Sequence, residues 1–387
     1  MEGHHRRALP ALIAALLLVL GLFATQAGPT TTTPRPPDWE RWASLTGVVD
    51  VVGPRPDGAL VAAAAGRLFL VHPDGRPPTP FGTYATDPGP ESYIAMAPGR
   101  DVTGAGCRFE AGEVYALELG SPPQAIVRVK VDGQASRFVE TPPVDLLTGI
   151  AFDGTGRFGY QLLVAGRRGT RTVLFSIDCR GRLKTLTDAA PLIEGGMEVA
   201  PELFGEHGGD LIAADENTGD VIFIRFDGTS GVLINPGLPA GPDIGVGSVG
   251  FTPPGFIGRG GTAYVADRRS PGSPTEGTDS IWRMTAEAFS QVRIDENDLI
   301  VVTEAGRSTV VRCRVTCRTF PFGDAANAHI EGHVTVVLGP PPPEIPRPGS
   351  MGVAVLAVVT AVIVGGGFIL FFVHNRRKVR FPEPDVR

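Results

Sequence analysis

The chain has 387 residues, a net charge of -6, and 51 glycines and 36 prolines. The acidic balance argues against nucleic-acid binding, which ordinarily needs a basic surface. The length is ample for a full core and too great for one small sandwich.

The order of elements begins with an export signal. His4, His5, Arg6 and Arg7 precede the apolar run Ala8–Ala24, and Thr25-Gln26-Ala27 comes next. A basic start, an apolar stretch and small residues at a cut after Ala27 define a secretory signal over residues 1–27, with an uncleaved signal-anchor helix as the alternative. Either version exports the large domain behind it. Residues 28–43 open with GPTTTTPRPP, a linker whose prolines favour extended polyproline II.

Residues 44–338 read as short strands separated by turns. Glycine and proline exceed their usual shares of about 7% and 5% here, but they fall between β-branched runs. One unit recurs: an apolar strand, a tight turn that often contains Asp and Gly, and a second strand. It appears as LFLVHPDGR (68–76), IVRVKVDGQ (126–134), VLFSIDCRGR (173–182) and VIFIRFDGT (221–229). IWRMTAEAF (281–289) is a degenerate copy, and VVRCRVTCR (310–318) reads as the last. Asp-Gly between strands is a hairpin signal because both residues tolerate positive φ. Another strand precedes each hairpin. Earlier still lies a third register, in which Glu91–Pro98 aligns without gaps on Glu194–Pro201, and Glu331–Val337 fits the same frame. Thr46, Thr148 and Val246 begin the equivalent strands elsewhere.

Three to four short strands repeated about six times predict an all-β, six-bladed β-propeller; a tandem of β-sandwiches is the alternative. The terminal strand at 330–337 comes after its hairpin and so closes the ring by joining a blade begun earlier in the chain.

The Pro-rich stalk, residues 339–349, opens with GPPPPEIPRP, and Ser350–Val373 then runs without a charged residue. At 1.5 Å per residue its length is roughly 36 Å, enough to cross a hydrocarbon core of about 30 Å. His374, Arg376, Arg377, Lys378 and Arg380 come directly after it, so residues 374–387 form a cytoplasmic basic tail by the positive-inside rule. The expected arrangement is a type I, single-pass cell-membrane protein with an extracytoplasmic propeller. Its partners are the bilayer and an extracellular protein, glycan or small ligand. The scarcity of lysine (Lys130, Lys184 and Lys378 alone) matches GC-rich bacterial coding.

The stretch GGDLIAADENTGDVIFIRFDG (208–228), and next Thr148–Arg182, resembles the six-bladed propellers of the NHL-repeat and senescence-marker-protein/gluconolactonase group. In the gluconolactonase-like enzymes, acidic or amide residues at the start of the innermost strands bind a divalent metal. The resemblance therefore implies Glu91, Glu194 and Glu331 as calcium ligands, with Thr46 and Thr148 in the same register; His333, two residues after Glu331, is a further channel candidate by its spacing. Calcium takes six to eight oxygen ligands, which three carboxylates with carbonyls and waters could supply. Three glutamates with threonines depart from that group's mixture of Glu, Asn and Asp.

Four cysteines in an exported domain favour disulfides. Cys313 and Cys317 can pair across a hairpin but not along a straight strand, and Cys107 and Cys179 would then remain. No Gly-x-Ser-x-Gly elbow, His-Glu-x-x-His helix, P-loop or dinucleotide fingerprint occurs. The sequence therefore favours a non-catalytic recognition module at the cell surface. The alternative is a calcium-dependent lactone or ester hydrolase in which the ion polarises the substrate carbonyl.

Overall fold

A computed structural model describes residues 38–120 and 122–340. The signal, most of the Pro-rich linker, the stalk beyond residue 340, the membrane span and the tail lie outside the described residues. Among the described residues, no helix is long and apolar enough to cross a membrane.

Six four-stranded antiparallel sheets form the blades of a six-bladed propeller. Blades 1 to 4 are contiguous in sequence. Blade 1 comprises β2 (Val48–Val52), β3 (Leu60–Ala64), β4 (Arg67–Val71) and β5 (Thr79–Ala85). Blade 2 comprises β6 (Ile94–Met96), β7 (Val114–Glu118), β8 (Ala125–Val129) and β9 (Ala135–Glu140). Blade 3 runs β10 (Leu146–Phe152), β11 (Leu162–Arg168), β12 (Arg171–Ile177) and β13 (Leu183–Ala190). Blade 4 runs β14 (Met197–Val199), β15 (Leu211–Asp215), β16 (Asp220–Ile224) and β17 (Ser230–Ile234). The Asp-Gly signals form the turns between third and fourth strands. Gly75, Gly133, Gly181 and Gly228 all have φ between 77° and 89°. At each turn an aspartate (Asp74, Asp132, Asp178 or Asp227) accepts the backbone N–H two residues on. Such Asx bonds fix the local turn without help from elsewhere.

Blades 5 and 6 interlock. After the innermost strand β18 (Val246–Phe251) the chain leaves blade 5 to build β19 (Thr262–Asp267) and β20 (Ser280–Thr285) of blade 6. It then returns for β21 (Leu299–Thr303), β22 (Ser308–Cys313) and β23 (Cys317–Phe322), which complete blade 5. The terminal strand β24 (Ile330–Val337) becomes the innermost strand of blade 6, against β19. It does join a hairpin made earlier in the chain, which is not the hairpin immediately before it. The outermost strand of blade 6 is β1 (Glu40–Ser44), so the propeller begins within the stretch read as linker.

The degenerate copy at 281–289 has a physical explanation here. Instead of an Asp-Gly turn it carries Thr285, whose side chain caps the short helix α1 (Ala286–Ser290). The chain thus turns away from the sheet and leaves the edge of β20 free for β1. Trp39, just before β1, is 3% exposed, and its Nε1 donates to Ser308 Oγ on blade 5 at 2.9 Å.

Apolar side chains fill the spaces between blades. One cluster joins blades 2 and 3 through Tyr115, Phe175, Ile150 and Val164, and another joins blades 5 and 6 through Trp39, Phe289, Ile300 and Val334. Cys107 and Cys179 form a disulfide that links blade 2 to blade 3. Cys313 and Cys317 form a second across the β22–β23 turn, where they are directly opposed partners.

Candidate functional site: an acidic funnel

The N-terminal ends of the six innermost strands converge on one face of the ring, called the upper face here. Below this mouth the strands touch. Gly195 N donates to Thr148 O at 3.0 Å and Gly196 N donates to Gly247 O at 2.8 Å. A Cβ at Gly196 would lie 2.4 Å from Gly332 O. Backbone therefore narrows the axis at this level, and the end above it is called the funnel here.

Two of the three predicted glutamates meet there. Glu91, just before β6, and Glu331, on β24, each place an Oε2 at 3.0 Å from the Tyr93 hydroxyl. One phenol proton serves one acceptor, so the trio is fully bonded only when a carboxyl also carries a proton. Burial and then the charge of Glu91 push Glu331 up to about 7, against the pull of His329 and Arg268. Glu194 is linked to the pair through charge. Burial raises its value first and Glu91 next, with Arg167 opposing.

The cation beside Glu91 and Glu331 is the chain's own Arg268. Its Nη1 pairs with Glu91 and lies 3.9 Å from Glu331 Oε1, and its Nη2 donates to Gly89 O at 3.0 Å. Sequence reasoning missed Arg268, and with it Glu216, Glu304 and His329. Glu216 and Glu304 come directly after β15 and β21, the second strands of blades 4 and 5, as Arg268 does after β19. The endings Ala-Asp-Glu, Val-Thr-Glu and Ala-Asp-Arg share a register. Alignment of the repeats one strand further from the axis could have found them. Burial, followed by neighbouring carboxylates, raises Glu216 to about 7 and raises Glu304 further; Glu331 is its largest charged contributor. Among the described residues, Asp243, Glu304 and His329 bring donor atoms within 4.8 Å of one another.

The other predicted residues do not join the glutamates. Thr46 is exposed on the turn before β2, and Thr148 is buried on β10 with no partner for its hydroxyl. His333 does not join Glu331. Gly332, at φ 68°, sits in a bulge where Tyr264 opposes Thr335 and Ala266 opposes Glu331. The bulge sends His333 below this narrowing, where it lines a cavity of about 250 Å³ with Glu198, Met197 and Thr335. There Nδ1 of His333 is 3.0 Å from Asp50 Oδ2, and Nε2 is 2.9 Å from Ile150 O. Both ring nitrogens face acceptors, so both must donate, which requires the imidazolium. Burial is the largest single influence and lowers its value, but Asp50, Glu198 and the Ile150 carbonyl together outweigh it, and the balance lies above the usual histidine range. Asp50 also accepts Ile94 N at 2.9 Å and His333 N at 2.9 Å, and so ties blades 1, 2 and 6 at the axis.

The fold and this mouth define the class: a six-bladed β-propeller with a one-sided acidic funnel. No protein family and no curated sequence relative matches the chain. Solved structures align with the chain. Virginiamycin B lyase from Staphylococcus aureus aligns at 13% identity and TM-score 0.38, over 72% of this chain and 85% of that one. The PQQ-bound aldose sugar dehydrogenase of Streptomyces coelicolor aligns at 13% and 0.40, over 76% and 87%. A candidate gluconolactonase aligns at 15% and 0.31, over 66% and 95%. These are likenesses of fold, and the six sheets themselves establish the propeller.

Proposed function

We propose that this protein is a recognition module, held outside the cytoplasm by its C-terminal span, whose funnel takes a ligand bearing an ammonium or guanidinium group. The ligand is a small molecule or an exposed group on a protein or glycan. One observation carries this reading. Glu91, Glu194, Glu216, Asp243, Glu304 and Glu331 act on one another electrostatically at a single mouth, with Arg268 and His329 as the cations among them. Such a concentration of one sign draws in and holds the opposite charge. Arg268, which pairs with Glu91 beside Glu331, supports a guanidinium as a group this mouth can accept, and a ligand would displace it or bind next to it.

The test uses the full chain in detergent, with agmatine and spermidine as probes and calorimetry as the readout. Glu91→Gln and Glu331→Gln should each weaken binding at least tenfold. Affinity should also rise as pH increases through about 7, because Glu216 and Glu331 gain their charge there. Folded protein that takes up neither probe at pH 8 would sink the reading. The anchor is tested separately: a chain ending at residue 349 should leave the membrane fraction.

A calcium-dependent lactone or ester hydrolase built on Glu91, Glu194 and Glu331 is the second reading, favoured by the meeting of Glu91 and Glu331 and the effect of Glu91's charge on Glu194. It requires Arg268 to withdraw from Glu91. Calcium-dependent ester cleavage lost in Glu194→Gln would replace the first reading with this one.

A further inference from the structure

We propose that Asp243, Glu304 and His329 form a site for a divalent first-row transition ion of the zinc, manganese or cobalt kind, on the rim of the funnel. This goes beyond the recognition reading and uses a different register from Glu91, Glu194 and Glu331. Its residues come from three loops: β17–β18, β21–β22 and β23–β24.

The first argument is geometric. One donor atom from each residue lies within 4.8 Å of the others. Metal–ligand bonds of about 2.1 Å in a tetrahedral shell place ligands roughly 3.4 Å apart, so closing on an ion needs each donor to move by about an ångström or less. The second is an unmet demand. Glu304 is 6% exposed, and its Oε2 is buried without a hydrogen-bond partner. A buried carboxylate oxygen without a partner is costly, and a cation would supply what is missing.

The third argument is that the loops are already cross-tied. Glu304 N donates to Gly245 O at 2.8 Å, and Ile330 N donates to Glu304 O at 2.9 Å. His329 N donates to Asp267 Oδ1 at 2.7 Å, and Asp243 N donates to Glu216 Oε1. On the imidazole, Nδ1 lies 3.2 Å from Ser273 Oγ and Nε2 lies 3.2 Å from Glu331 Oε1. Whichever nitrogen turns to the ion, the other keeps a partner that orients the ring, as metal-bound histidines generally do.

The donor set decides the class of ion. Calcium and magnesium prefer all-oxygen shells, whereas one imidazole with two carboxylates suits zinc, manganese or cobalt. Three protein ligands leave coordination positions open. A cavity of about 480 Å³ lies alongside, lined by Ile244, Ala305 and Asn327, each within two residues of a ligand. The open positions would be left to water or a bound molecule.

The experiment is calorimetric titration of the chelator-stripped full chain with Co²⁺ and Ca²⁺, with the visible Co²⁺ spectrum followed in parallel. The expected result is one saturable Co²⁺ site, tighter than any Ca²⁺ site. His329→Gln should alter its spectrum. Glu304→Gln should weaken it by more than the roughly 10- to 100-fold lost when an outer partner of a metal ligand is removed. Glu304→Gln also relieves charge repulsion, so it keeps the test decisive if His329→Gln fails to fold. No saturable uptake, or uptake that neither substitution changes, overturns the site. The organic-cation reading is scored separately, by agmatine and spermidine uptake in Glu91→Gln and Glu331→Gln, so the failure of one is distinguishable from the failure of the other.

Discussion

Blades 1 to 4 and blades 5 and 6 reach the same four-stranded sheet by different means. In the first group each blade is contiguous, and an aspartate–glycine turn fixes its outer hairpin from within. In the second group strands arrive from distant parts of the chain. No Asp-Gly turn serves there: the Cys313–Cys317 disulfide closes the outer hairpin of blade 5, and β1 supplies the outer strand of blade 6. Local turn chemistry suffices where partners are neighbours in sequence. Where they are not, long-range ties hold the register, such as Trp39 to Ser308 and Gly47 N to Asp279 Oδ1. Arg268, Glu304, His329 and Glu331 all belong to the interlocked pair.

The largest test of this contrast is Trp39→Ala. Removing a buried tryptophan costs about 3–5 kcal/mol. Denaturant unfolding should show that loss, with blades 5 and 6 losing amide protection first. Equal loss of protection in all blades would argue that the ring melts as one unit. Next comes Cys107→Ser with Cys179→Ser, which opens a 72-residue separation between two blades. Loop entropy puts the cost at about 4 kcal/mol, against about 2 kcal/mol for opening the short Cys313–Cys317 loop. Similar losses from both pairs would break the distinction between an inter-blade tie and a turn lock.

A smaller effect is expected from pH, at most roughly 1.4 kcal/mol per pH unit for one proton. The His333 value is raised in the folded state, so its extra stabilisation is complete below the unfolded value near 6.5 and is lost as pH climbs through the folded value. Glu198, pushed up to about 7 by burial, acts in the same direction at lower pH. The urea midpoint should fall from pH 5 to 9, and His333→Gln should flatten the fall above 6.5. A midpoint that rises would remove the imidazolium. The smallest effect is Asp227→Ala, which removes the exposed bond to Thr229 N and should lower the urea midpoint least, with any loss of amide protection confined to blade 4.

Much of this was legible in the sequence. The gapless match of Glu91–Pro98 on Glu194–Pro201 placed two innermost strands, and Glu331 fell in the same frame. These are backbone-level regularities that recur because each innermost strand meets the same neighbours. The exchange between blades 5 and 6 was not legible, since a hairpin pattern shows where the chain reverses and not which strand lies beside it. Arg268 was missed for a similar reason. Its position matches Glu216 and Glu304, but its charge is opposite, so a search for repeated carboxylates passes over it. Asp50, the axial tie to His333 and Ile94, stands in a run of valines and carries no pattern at all.

The place of β1 has a consequence for how the molecule is made. Ser44 pairs with Ser280, so the first strand of the propeller to be synthesised waits for one of the last. Four blades can be completed in the meantime, each from its own stretch of chain. Blade 6 cannot gain its innermost strand until residue 337 has emerged. An unpaired edge offered for that long invites pairing with another chain. Late, non-local closure of this kind is also slow. The vulnerable moment in the life of this protein is therefore the interval before its two ends meet in one sheet.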